Sequence, residues 1–113
     1  MITIYHNPRC RKSREALEFL KNTGKEFEIV EYLKNPISKD TLNQIIAKLD
    51  LTPIELIRKN EAIWKSEFRA KEMSRKETID AMLKFPKLME RPIVVHQNQA
   101  IIARPAEKIK DIL

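Results

Sequence analysis

The spacing of apolar and polar positions lays out the elements of this chain. Residues 2–5, ITIY, are β-branched and aromatic and predict a first strand. His6-Asn7-Pro8 interrupts it, because Pro8 breaks the strand and pushes Asn7 away from helical geometry. Beyond Cys10, Ala16, Leu17 and Leu20 share one helical face with Phe19 beside them, and Gly24 offers a left-handed C-terminal cap. FEIVEY (27–32) places Phe27 and Ile29 on alternate positions, with Val30 fitting less cleanly, and predicts a second strand. A strand–helix–strand opening of this kind is normally parallel with a right-handed crossover.

After the turn KNPIS (34–38), Leu42, Ile45, Ile46 and Leu49 fall at i, i+3, i+4 and i+7 and predict an amphipathic helix from Ser38. TPIE (52–55) carries a start signal, with Thr52 as cap, Pro53 at the first position and Glu55 reaching back, for a short helix through Arg58. SRKE (74–77) repeats the capping pattern before Ile79, Met82 and Leu83, and Pro86 closes that helix. PIVV (92–95) predicts a strand, Asn98–Gln99 a turn into AIIA (100–103), and Pro105 the start of a terminal helix with Ile109, Ile112 and Leu113 on one side. The order is β-α-β, three or four helices, then β-β-α. That is an α/β fold of thioredoxin-like type: a small mixed four-stranded sheet with a helical insertion at about 36–86, within a single domain spanning 1–113.

Composition narrows the class. With 113 residues, 42% hydrophobic and 34% charged, the chain is long enough for one modest core and too apolar for a disordered one. No apolar run has the length of a bilayer span, and no basic-then-apolar leader opens the chain, so neither a membrane nor export is expected. A lone cysteine cannot close an internal disulfide, and a reducing cytoplasm is the expected compartment. The net charge of +6 suits an anionic partner. Nucleic acid is not expected, since aromatics are only 6% and are not interleaved with the basic residues. One glycine excludes a glycine-rich phosphate loop.

The candidate chemistry centres on Cys10. Free cysteines are usually small buried hydrophobes, but Arg9, Arg11, Lys12, Ser13 and Arg14 surround this one, and a core does not hold so many unpaired cations. Cys10 also lies between a strand and a helix start, where free amides, the helix dipole and nearby arginines such as Arg14 favour a thiolate and an oxyanion alike. Ser13, one turn on, is placed to donate its hydroxyl to the sulfur, and His6 to help hold it; taken alone, His6 reads rather as a surface or strand-end histidine hydrogen-bonded locally. A single thiolate cannot resolve itself, so a reductive cycle needs a thiol from outside. Position 16 is Ala16, which rules out the cysteine–five residues–arginine loop of tyrosine phosphatases, and Ser13 rules out a CxxC pair. His6 and His96 have no metal-ligand spacing with Cys10, so no zinc is expected.

At this point ITIYHNPRCRKSREALEFL resembles the opening of the glutaredoxin-coupled arsenate reductases. EYLKNP (31–36), LIRKNE (56–61), RPIVV (91–95) and ARP (103–105) are similar to further motifs of that family in the same order, so the resemblance covers nearly the whole chain. It implies that Cys10 is the nucleophile, that Arg58, Arg91 and Arg104 stabilise the oxyanion, that His6, Ser13 and Arg14 help bind it, and that Pro92 is cis. Taken singly, Arg58 could cap a helix, Arg91 sit on the surface and Arg104 pair with Glu107. It further implies arsenate as substrate, glutathione as co-substrate, glutaredoxin as partner and no bound cofactor. Arg11 and Lys12 depart from the pattern, standing where such reductases often have small residues. Two alternatives share the fold: an Spx-like regulator that binds RNA polymerase, although Ser13 removes the usual CxxC switch, and a glutathione-dependent thiol reductase that does not act on arsenate.

Overall fold

Ile2 and Ile4 turn the same way from strand β1 (Ile2–Tyr5) and are both buried. A computed structural model describes the whole chain, Met1–Leu113. β1 pairs in parallel with β2 (Phe27–Val30) and antiparallel with β3 (Ile93–His96), which pairs antiparallel with β4 (Gln99–Ile102). The sheet is mixed and four-stranded, in the order β2-β1-β3-β4. Helix α1 (Arg11–Asn22) connects β1 to β2 and buries Ser13, Ala16 and Leu20. Thr23 ends it and Gly24 follows at φ +72°, the left-handed position that suits glycine. Ile4, Leu20, Val94, Ala103, Ile109 and Ile112 share one core, formed by a sheet face, α1 and the C-terminal segment.

The chain groups into two compact units, Met1–Asn35 with Arg91–Leu113, and Pro36–Glu90. The first is discontinuous in sequence, with the second inserted between its halves. In the second, α2 (Lys39–Leu49) starts where the Ser38 hydroxyl accepts the Thr41 amide at 3.1 Å, and ends at a left-handed Asp50. α3 (Ala62–Glu67) and α4 (Arg75–Lys84) follow, the latter capped reciprocally by Ser74 and Glu77 at 3.1 and 3.0 Å. Trp64 stacks on Phe68 at 5.8 Å, and Phe68 meets Phe85 edge-on at 6.0 Å.

Several elements differ from their expected form for identifiable reasons. β2 stops at Val30, because the Lys34 and Asn35 amides close a turn on the Glu31 carbonyl. It is an edge strand, so Phe27 reaches the core while Ile29 stays 45% exposed. The β3–β4 register pairs His96 with Gln99, so the turn is Gln97–Asn98, one residue early, with Gln97 supplying the left-handed conformation at φ 57°. Residues Pro53–Leu56 make one 3₁₀ turn that ends before Arg58, and Ile57 is extended and bridges Met89. The terminal segment Ala106–Ile112 is also 3₁₀. Side chains three apart then line up, which keeps Ile109 and Ile112 inside and leaves Leu113 41% exposed.

Candidate active site

β1 ends at Tyr5, which pairs with Ile93, the first residue of β3, and Ile93 pairs with Ile102, the last of β4. The loop 6–10, the dipeptide Arg91–Pro92 and the dipeptide Ala103–Arg104 therefore all leave the sheet at one end. The Ala103 amide donates to the Pro92 carbonyl at 2.9 Å and ties the last two together. The Arg91–Pro92 bond is cis, as the fold analogy implied, and so is Arg104–Pro105. Arg104 donates from Nη1 to the Arg91 carbonyl at 3.3 Å. Arg91 Nε is buried with no hydrogen-bond partner in the chain. A guanidinium N–H in that state is a donor short of an acceptor.

Asn7 builds the loop that carries the cysteine. Its carbonyl accepts the Cys10 amide and its Oδ1 accepts the Arg9 amide, both at 3.0 Å. Arg14 reaches back from α1 to donate to the Pro8 carbonyl at 3.0 Å. Cys10 is the N-cap of α1, extended at φ −94° and ψ 121°, and makes no side-chain capping bond. A serine or aspartate cap would occupy one of the free amides of the first turn. Here a half-exposed thiol leaves those donors open, and no acidic residue lies in that turn.

Behind the loop lies a buried pair. Ser13 is 0% exposed; its Oγ accepts the Asn7 amide at 3.0 Å and lies 2.6 Å from His6 Nδ1. His6 is 5% exposed, and its amide donates to the Val30 carbonyl at 2.8 Å. Burial holds the imidazole below its ordinary pKa; Glu31 opposes this, Arg14 and Lys21 reinforce it, and the Ser13 bond opposes it weakly. Nδ1 of the imidazole and the Ser13 hydroxyl share one short hydrogen bond, which either tautomer of the ring can make. The Ser13 hydroxyl is thus joined to His6 and to Asn7.

Arg58 belongs to the second unit. Its amide donates to the Leu88 carbonyl at 2.7 Å. Its guanidinium pairs with Glu61 at 2.8 Å and with Glu90 at 3.8 Å, and its side chain is 22% exposed. It does not cap a helix. No three His, Cys, Asp or Glu side chains converge to hold a metal ion. No helix is long and apolar enough to cross a membrane.

Residues 5–112 match the model of the ArsC family. The chain belongs to the ArsC family. It is 42% identical to an arsenate reductase of Rhizobium meliloti over 99% of this chain and 81% of that one. It is 43% identical to the uncharacterized protein YfgD of Escherichia coli K12, over 99% of this chain and 96% of the other. The structure superposes on that of an arsenate reductase from Vibrio cholerae with a TM-score of 0.94 and 37% identity, covering 99% of this chain and 97% of that one.

In this ArsC-family chain, His6, Cys10, Ser13, Arg14, Arg91 and Arg104 gather at one end of the first unit's sheet. Arg58 lies in the other unit, held by its two glutamates. Asn7 was not singled out from the sequence as a site residue. The signal was there, since an asparagine before proline commonly turns the chain through its own side chain.

Proposed function

We propose that this chain is an arsenate reductase acting through the sulfur of Cys10 with external thiols. The observation that carries the reading is the unpartnered, buried Nε of Arg91, at the sheet end where Cys10 and Arg104 also emerge. Arsenate is tetrahedral and multiply charged, and forked guanidinium donors match its oxygens. The chain's likeness to relatives named arsenate reductases, 41% and 42% identical over 99% of this chain, supports that substrate.

The chemistry runs in balanced steps. The Cys10 sulfur attacks arsenic, an arsenate oxygen leaves as water and a sulfur–arsenic bond forms. Arg91 and Arg104 stabilise the oxygens as charge shifts onto them, and the open amides of α1 do the same. Glutathione displaces a second oxygen as water. A further thiol, that of glutaredoxin, then attacks the glutathione sulfur. A disulfide forms, the electron pair of the broken arsenic–sulfur bond stays on arsenic, and As(V) becomes As(III). Hydrolysis of the Cys10–arsenic bond releases arsenite and restores the thiol. His6 and Ser13 act by holding Asn7, and through it the loop. A cytoplasmic setting, where such thiols are reduced, fits this cycle.

The test mixes protein, arsenate, glutathione and glutaredoxin and follows arsenite. The reading requires turnover that Cys10→Ser abolishes. Arsenite at the Cys10→Ser background in the native chain overturns it.

A further inference from the structure

With one cysteine, the cycle proposed above depends on a second thiol that must approach the Cys10–arsenic adduct from solvent. The first turn of α1 forms part of that approach, and it is strongly cationic. Arg11 and Lys12 follow Cys10 directly, with side chains 84% and 47% exposed. Their one carboxylate partner is Glu15, at 4.0 and 3.5 Å. Exposed pairs at such distances contribute little and yield to a better-placed anion. Arg14 gives its guanidinium to a neutral carbonyl, that of Pro8, so it adds charge without neutralising any. Arg9 is exposed, and the turn contains no acidic residue.

We propose that Arg11 and Lys12 select the reducing thiol, favouring one that carries carboxylates over neutral or cationic thiols. This rests on the arsenate reductase reading and adds a specificity element to it. In the selected step the incoming thiolate bonds to arsenic and an arsenic-bound oxygen departs as water. Arg11 and Lys12 take no part in bond making. They raise the local concentration of the anionic thiol and hold its carboxylate while its sulfur attacks. Glutathione, a tripeptide thiol with two carboxylates and one ammonium group, fits that description.

The experiment compares the native chain with Arg11→Gln/Lys12→Gln. Each is given arsenate and one of glutathione, 3-mercaptopropionate, 2-mercaptoethanol or cysteamine, and arsenite is followed at low and high salt. Taking the ratio of variant to native for each thiol cancels the thiols' intrinsic reactivities. The double substitution lowers the rate with glutathione and 3-mercaptopropionate about tenfold at low salt, leaves 2-mercaptoethanol within about twofold and speeds cysteamine. High salt narrows the native preference. Equal ratios for all four thiols, or a rise in the KM for arsenate with the thiol ratios unmoved, overturn the selection. Absence of arsenite with every thiol, and also with glutathione plus glutaredoxin, overturns the underlying reductase reading, a result separable from the other two.

Discussion

Replacing Ser13 with alanine tests the organisation of the cysteine loop. Oγ is fully buried and serves two groups, His6 Nδ1 at 2.6 Å and the Asn7 amide at 3.0 Å. Ser13→Ala removes both bonds and leaves a buried imidazole nitrogen and a part-buried amide without that partner. A buried polar group left unsatisfied costs about 1–3 kcal/mol, so two cost about 2–4 kcal/mol once partial relaxation is allowed for. The unfolding entropy of a chain this long is about 240 cal/mol/K, so each kcal/mol moves Tm by about 4 °C. The expected fall is about 8–16 °C, read by circular dichroism. The same substitution frees Asn7, whose carbonyl and Oδ1 hold the Cys10 and Arg9 amides. Turnover therefore falls even at temperatures where the variant is folded. A Tm within about 2 °C of native, with unchanged turnover, refutes the reasoning.

Acid should destabilise the fold through His6, which burial holds below its ordinary pKa of 6.5. The unfolded chain takes up that proton first. The stabilisation is complete above about pH 6.5 and is lost as pH falls from there to the folded-state value, with a slope of at most about 1.4 kcal/mol per pH unit. Urea midpoints at neutral and mildly acidic pH show a drop that His6→Gln lessens, and an equal drop in both proteins contradicts this. Ser74→Ala removes the acceptor of the Glu77 amide and the cap of α4. It costs about 1 kcal/mol, read as a lower urea midpoint, and an unmoved midpoint means that the cap contributes nothing.

The elements with a strong period or a capping signal were legible in the chain. Leu42, Ile45 and Ile46 all turn inward on α2, and the Ser74–Glu77 capping box forms as written. α3 escaped because six residues with only Trp64 buried leave no period to detect. The terminal segment was located, but a 3₁₀ row of Ile109 and Ile112 looks like an α-helical face over so short a span. At the site, the local chemistry of Cys10, Pro8 and the basic run could be read directly. What was not legible is set by partners far apart in sequence. Nothing in the string says that Arg58 meets Glu90, that Arg104 lies on the Arg91 carbonyl, or that Arg91 Nε is left without an acceptor. The Ser13 hydroxyl is the instructive case. Its sequence neighbour is the sulfur, but its partner across the fold is His6, which follows β1 and is buried beside it.

The most direct measurement is the rate at which a neutral alkylating reagent modifies Cys10 as arsenate is added without any other thiol. If the sulfur and the guanidiniums of Arg91 and Arg104 hold one oxyanion between them, arsenate slows alkylation saturably, and Arg91→Ala or Arg104→Ala raises the concentration needed about tenfold or more, as the loss of a charge-assisted bond requires. Alkylation that proceeds at the same rate at every arsenate concentration contradicts the account at its centre.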